Sequence, residues 1–526
     1  MSKLNKIELF KKALILHNEG KLDDADDICL SVLKNDEDNF AANYLHGCIL
    51  SDRSKFQEAA IYLKKALISN PDNYEVNNNL GIVYKNLEKM DEAEKFFLKA
   101  ISIDKKNFQA YFNCANLYAD INKYDFSINF FKKAIEYNNN FPEAYQRIGE
   151  IFQEKYKIDR NKEHLNKSIE YFNLVISSET SYTLSSFTPG TTSLSLGLSN
   201  LWLGNHAEAN KFLNKVSSTN NTNQQLLTEY IEKFLSDKKS LCTLITHEYE
   251  QLTFIDNDID GIRNPKFTKE YYQELKNIYL KIKNNSFDME DLNPSMKIKI
   301  SKILYNKPPK ISSSNYINEK NDIQKLESKY LNSIPEVLVV DNFLTSEALL
   351  ELQKFCRNAN IFKYTHNGGY VGAYLSRGLA NEFTLKLSKD LRLTYKNIFK
   401  DLKLTQAWIY KYESTKKGVN IHADPAVVNV NFWITPDDAN LDKKTGGLKI
   451  WNKIPPEDWK FKDYNNGKSV PKMKKFLSEN KSVEQVVKYK ENRAVIFNSK
   501  LFHTTDAFNF RDKYEDRRIN VTFLYD

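Results

Sequence analysis

Every thirty-four residues the first part of this chain returns to the same residue types, and that period leaves few folds open. Asn39, Asn73 and Asn107 form one row, and Ala25, Ala59, Ala93 and Ser127 a second. Ala66, Ala100 and Ala134 form a third, and Ala13, Gly47, Gly81, Ala115 and Gly149 a fourth. Two antiparallel helices approach closely only where side chains are short, so these rows mark the seams of stacked helical hairpins. Leu80, Tyr84, Phe97, Leu117 and Phe131 fall between them at helical spacing and read as core. One hairpin cannot bury its apolar face alone, whereas a stack of them can, which predicts a solenoid.

The segment Leu80-Gly81-Ile82-Val83-Tyr84, with Ala93 and Ala100 downstream and Pro71 and Pro142 at unit ends, resembles the tetratricopeptide repeat. Residues 6–141 hold four such units. Beyond Pro142 the period slips: Gly149 is in place, Ser168 is late, and residues 156–162 read as an inserted turn. Gly197 and Ala209 restore the offset between Gly81 and Ala93, so a further unit is expected at 191–217, giving five or six. The Ser- and Thr-rich stretch 178–195 reads as a loop. The solenoid is therefore assigned residues 1–217. Residues 218–333 are assigned to a helical bridge and polar linker, with helical character at 231–235 and at 270–284 behind a capping Thr268. The linker is placed at 306–321, around Pro308-Pro309 and three serines.

From residue 334 the pattern becomes that of strands. Glu336 to Phe343 reads as a strand and Thr345 as the start of a helix, with a second helix over 381–399. Next comes His422-Ala423-Asp424, with His503 seventy-nine residues after Asp424. On an extended strand residues i and i+2 share a face, so His422 and Asp424 can grip one ion. Ala494 to Phe497 is a buried-strand run that delivers His503 just past its end. Two imidazoles and a carboxylate form the facial set that suits iron(II) and leaves coordination positions open. Gly446-Gly447 permits a tight turn before Leu448 to Trp451. In the last strand, Arg518 shares a face with Asn520 by period two, and its guanidinium can hold a carboxylate through two parallel hydrogen bonds.

The pattern His422, Asp424, Gly446, Gly447, Leu448, His503 and Arg518-Ile519-Asn520 resembles the iron(II)- and 2-oxoglutarate-dependent dioxygenases, over residues 335–526. The resemblance implies a double-stranded β-helix, or jelly roll, with flanking helices, so the chain as a whole is expected to be multidomain α + β. It implies iron(II) on His422, Asp424 and His503, 2-oxoglutarate as co-substrate on Arg518, and dioxygen as oxidant. Hydroxylation is the implied outcome, and retention of Asp424 disfavours halogenation. Arg518 comes fifteen residues after His503, later than usual, and Asn520 stands where serine or threonine is common. A charged insert at 509–516 accounts for the delay and leaves Arg511 and Arg517 as competitors. A zinc or structural metal site is the alternative for the same ligands.

Asn429, Asn431 and Trp433 share one strand face, as do Tyr410 and Tyr412. Asn520, Tyr410 and Asn431 are accordingly expected beside the co-substrate. The loop 362–377, with Tyr364, Tyr370, Tyr374 and Arg377, is expected to act as a substrate lid, and its His366 as a non-ligand. A solenoid joined to an oxygenase points to a protein or peptide side chain as substrate. The alternatives are a small molecule or glycan, and a non-catalytic scaffold carrying a remnant barrel. The repeats are expected to bind a protein or peptide, or to join copies of the chain.

With 41% apolar residues in 526, composition fits two or three folded domains. No apolar run approaches a membrane span and no signal-peptide core opens the chain, so a cytoplasmic protein is expected. Cys29, Cys48, Cys114, Cys242 and Cys356 are scattered without a Cys-x-x-Cys pair and read as reduced. A net charge of +8 is mild for this length, and the lysine clusters match no nucleic-acid motif.

Overall fold

The computed structural model describes residues 3–177, 189–218, 237–257, 269–301, 309, 312–366, 369–375, 378–413 and 418–526. Two compact units divide the chain, Met1–Phe187 and Thr188–Asp526.

The first unit is five helical hairpins, from Lys3–Asn18 to Lys162–Ser177. The asparagine row turns out to be a row of helix caps. Asn39, Asn73 and Asn107 accept the backbone N–H of Ala42, Val76 and Ala110 at 3.0, 2.8 and 3.0 Å. The small-residue row is the hairpin seam: a Cβ added to Gly81 would lie 2.5 Å from the Phe97 ring. A further row, which residue type alone does not reveal, closes each turn. Gly20, Ser54, Glu88 and Asn122, again thirty-four apart, all take positive φ of 59° to 76°. The slip after Pro142 is not an inserted turn. The helix Pro142–Asp159 simply runs on to eighteen residues and stops at left-handed Arg160.

The next hairpin, Pro189–Leu203 and His206–Ser218, keeps the repeat's offset but belongs to the second unit, so the boundary falls at 187/188 rather than 217. Ala209 and Leu213 join the core of the large sheet, and Trp202 donates to the carbonyl of Leu404 at 2.8 Å. Helix therefore replaces the expected loop from Pro189 onward; residues 178–188, 231–235, Thr268 and most of 302–311 lie outside the described residues. The expected linker is anchored where it is described, because Tyr316 and Ile317 are buried in the same core.

Among the described residues the second unit holds ten strands: β1 (Val337–Val340), β2 (Tyr364–His366), β3 (Tyr370–Tyr374), β4 (Leu404–Tyr412), β5 (Val428–Trp433), β6 (Leu448–Trp451), β7 (Glu484–Val487), β8 (Arg493–Asn498), β9 (His503–Thr505) and β10 (Ile519–Tyr525). Seven form one antiparallel sheet in the order β1-β8-β5-β10-β4-β3-β2, and three form another in the order β7-β6-β9. On the large sheet Val430, Phe432, Val521 and Phe523 point to one face and build the core with the helices Ser346–Asn358 and Glu382–Thr394. Asn429, Asn431, Asn520 and Thr522 alternate with them and line a cavity on the opposite face. Of the residues expected to form a lid, Tyr364–His366 and Tyr370–Tyr374 are the strands of the edge hairpin β2–β3.

The region expected to be a bridge contains a helix, Lys238–Asn257, built into this unit. Its Glu248 is 1% exposed and accepts from Asn360 at 2.7 Å and from Lys363 at 2.7 Å. Gln251 donates to the carbonyls of Arg357 and Ala359 at 3.0 and 2.9 Å. Buried charges need such partners, and here they pin the helix in place.

Candidate metal centre

His422 and His503 meet backbone to backbone. His422 N donates to His503 O at 3.0 Å and His503 N to His422 O at 2.9 Å, which carries the small sheet one residue beyond β9. That pairing sets the two rings side by side, their centroids 4.2 Å apart. Asp424, two residues along, has its N–H on the Ser499 carbonyl at 3.1 Å, which turns its carboxylate toward the same point. One ligand atom from each of the three lies within 4.8 Å of the others. His422 Nε2 is 3.8 Å and His503 Nε2 3.5 Å from the carboxylate oxygens.

The tautomers follow from the partners. His422 Nδ1 lies 2.8 Å from the Asn420 carbonyl, and His503 Nδ1 2.8 Å from the Leu501 carbonyl. A carbonyl only accepts, so each Nδ1 carries a proton and each Nε2 is the ring atom turned to the shared point. Burial, with His503 beside it, brings His422 down to about 4, so at neutral pH the ring is uncharged and free to ligate. Burial pushes Asp424 up, but His422, His503 and Asn429 together outweigh it and hold the carboxyl below its ordinary value. Its oxygens accept from Asn429 at 3.0 Å and Asn465 at 3.4 Å. Carboxamides of this kind orient a ligating carboxylate.

The triad opens into a cavity of about 450 Å³. Arg518, 1% exposed, reaches it from just ahead of β10. Its Nε and Nη2 donate to the carbonyls of Gly446 and Gly447 at 2.7 and 3.3 Å, and its guanidinium lies 4.8 Å from the Tyr412 ring centroid. Gly446 has φ +93°, and a side chain on Gly447 would run into the Val487 carbonyl, so only this pair lets the turn pass close enough to hold the arginine. Nη1 has no partner, and no described carboxylate pairs with the group. Arg517 points the opposite way, onto Glu250, and Arg511 pairs with Asp438 and Asp516.

Tyr410, Asn431, Asn520, Tyr370 and Tyr374 all line the cavity. Tyr364 stands behind that wall against the Tyr374 ring, 4.9 Å between centroids, and Arg377 lies outside the described residues. His366 bonds Tyr374 at 2.9 Å through Nε2 and stands apart from the triad. Sequence reasoning missed Trp408 and Thr522, although both follow from the same alternation as Tyr410 and Asn520. It also missed Asn465, in the irregular segment between β6 and β7, for which no periodic signal exists.

The tetratricopeptide repeat family model matches residues 74–107 and 108–141, within the first unit. No curated protein matches the chain. Among solved structures, one of MamA is 22% identical over 32% of this chain and 94% of its own, with a TM-score of 0.29. PilW, a type IV pilus biogenesis factor, is 18% identical over 43% of this chain and 99% of its own, with a TM-score of 0.36. PilF of Pseudomonas aeruginosa is 14% identical over 40% and 90%, with a TM-score of 0.34. Among the described residues no helix is long and apolar enough to cross a membrane.

Proposed function

We propose that the second unit is an iron(II)- and 2-oxoglutarate-dependent dioxygenase of jelly-roll type that hydroxylates a C–H bond. The observation that carries this reading is the pair of Nε2 atoms converging with Asp424 at the edge of a cavity that also holds a buried guanidinium with no described carboxylate partner. Two imidazoles and a carboxylate suit iron(II), and Arg518 suits the far carboxylate of 2-oxoglutarate. Bound there, iron(II) would supply the redox chemistry that couples decarboxylation of 2-oxoglutarate to oxidation of a C–H bond. In balance, substrate, 2-oxoglutarate and dioxygen become hydroxylated substrate, succinate and carbon dioxide, with one oxygen atom in each of the first two products.

The chain's own groups prepare that event. The carbonyls of Asn420 and Leu501 fix the imidazole tautomers, and Asn429 and Asn465 hold the carboxylate. The two glycine carbonyls and the Tyr412 ring hold Arg518 before any anion arrives, so little ordering is left for binding. Buried Tyr370 and Tyr412 wall this part of the cavity from water.

Tetratricopeptide repeats bind peptides or proteins along a stacked surface, so the first unit is read as the arm that recruits a protein partner. The test is metal analysis of protein purified without oxygen, with succinate release measured from 2-oxoglutarate. Iron retention with oxygen-dependent succinate supports the reading; a chain that binds neither iron nor 2-oxoglutarate ends it.

A further inference from the structure

Three buried carboxamide oxygens in the cavity have no hydrogen-bond donor: those of Asn429, Asn431 and Asn520. Their side chains are 1%, 7% and 5% exposed. In each, one amide N–H already has a partner. Asn429 gives it to the Asp424 carboxylate at 3.0 Å, a group that only accepts, so its carbonyl oxygen has to be the free end. Asn431 and Asn520 both donate to the Thr522 hydroxyl, at 3.2 and 3.0 Å.

These residues lie on the neighbouring strands β5 and β10, with Asn431 directly opposite Thr522. The surface they form asks for N–H or O–H groups. 2-Oxoglutarate brings none at neutral pH, since both its ends are carboxylates and its keto oxygen accepts. It answers Arg518 and leaves all three asparagine oxygens unmet, so the second occupant of the cavity has to be the donor.

The neighbouring strands show what else that occupant meets. On β4 and β3, Trp408, Tyr410 and Tyr374 line the same cavity with aromatic rings, and Gln406 adds another carboxamide. His366 donates or accepts at the edge, and burial keeps it neutral. Asp424 and Arg518 are the charged side chains among the described lining residues, and a bound metal and co-substrate would occupy both. Among the described lining residues a charged side chain would find no free counter-ion, and a prolyl ring would leave all three carboxamide oxygens unmet.

We propose that the group presented to the metal is neutral and polyhydroxylated, a sugar-like ring whose hydroxyls donate to Asn429, Asn431 and Asn520 while its C–H face lies against Trp408 and Tyr410. This rests on the dioxygenase reading and names the substrate class of the same site; the ring can be free or carried on a larger partner.

The experiment uses the full chain loaded with iron(II) without oxygen. Binding of 2-oxoglutarate alone is measured first by calorimetry, and failure there removes the dioxygenase reading, whatever the substrate probes then show. Two probe panels are offered next: neutral mono- and oligosaccharides, and short peptides presenting prolyl, lysyl or asparaginyl side chains. Direct binding is read by calorimetry and coupling by succinate release on adding oxygen. The expected result is that at least one saccharide binds and raises succinate release tenfold or more, while the peptides do not. The Asn431→Leu variant should then raise the KM for that saccharide about tenfold. Stimulation by peptides alone, or by no member of either panel, overturns the proposal, as does an unchanged saccharide KM in the variant.

Discussion

Asp424 couples the floor of the cavity to its roof, because one oxygen takes the β5 carboxamide of Asn429 and the other that of Asn465 from beyond β6. The apolar run that delivers His503 was legible in the sequence, whereas His422 and Asp424 meet at one point without the strand their i, i+2 spacing suggested, His422 being an isolated bridge and Asp424 lying ahead of β5. The carboxamide support was only half legible, since Asn429 lies on a periodic strand and Asn465 does not. Replacing His422, Asp424 or His503 with Ala is expected to drop iron content to background in anaerobic preparations whose circular dichroism is unchanged. Full iron occupancy in all three variants would remove the site. Arg518 and Arg517 separate cleanly. Arg518→Lys loses the planar fork and should weaken 2-oxoglutarate binding about tenfold, whereas Arg517→Lys, which faces Glu250, should leave that affinity within twofold. Titration calorimetry compares the two, and equal losses would mean that the alternation along β10 does not decide the role.

At the scale of elements, alternation along β4, β5 and β10 was readable because a two-residue period survives in a buried strand as amide-apolar alternation, as in Val428-Asn429-Val430-Asn431. The edge hairpin β2–β3 was not, because tyrosines and glycines there suit a mobile loop and a strand equally. Nor was the integration of Lys238–Asn257: its apolar stripe of Leu241, Leu244, Ile245 and Leu252 packs on the neighbouring helices, and the Glu248–Lys363 and Glu250–Arg517 pairs that tie it to the strands carry no periodic signal. Glu248→Gln leaves Lys363 buried against a neutral partner and should cost roughly 3 kcal/mol of stability. Urea unfolding of the variant checks this; a loss under about 1 kcal/mol would mean that packing alone holds the helix. The same region sets an acid limit. His247 is fully buried and neutral, driven well below its ordinary value by burial and by Lys411, and burial holds His366 at about 4. The unfolded chain protonates both near 6.5 while the folded one refuses, so their contribution is complete above about pH 6.5 and is lost as pH falls toward 4. The denaturation midpoint should fall over that window, and His247→Phe should flatten the slope.

The chain divides into two compact units at 187/188, inside the residues 1–217 that the thirty-four-residue period assigned to the solenoid and ahead of the bridge expected at 218–333. Gly197 fits against Leu213 just as Gly47 does against Leu63, so the hairpin 189–218 carries the repeat's local code. Its destination is set by residues the code leaves free: Trp202 on the carbonyl of Leu404, and Ala209 and Leu213 in the sheet core. A period reports how one helix meets the next and is silent on which body the pair then joins. This border decides how the chain can be cut. A fragment beginning at Asn321 contains every lining residue of the cavity, yet it lacks the partners of Lys363 and Arg517 and the hairpin that covers part of the sheet core. The cut removes the covering helices together with the carboxylates, so Lys363 and Arg517 would be left to water, while the core beneath Ala209 and Leu213 and the rings of Phe362 and Tyr514 would be bared. A fragment beginning at Thr188 keeps both pairs and the hairpin. The expected outcome is that 188–526 is monodisperse, unfolds cooperatively and binds iron(II), whereas 321–526 aggregates or melts without a transition. Cooperative unfolding of 321–526 at the same denaturant midpoint would show that the helices ahead of β1 are accessory to the sheet after all.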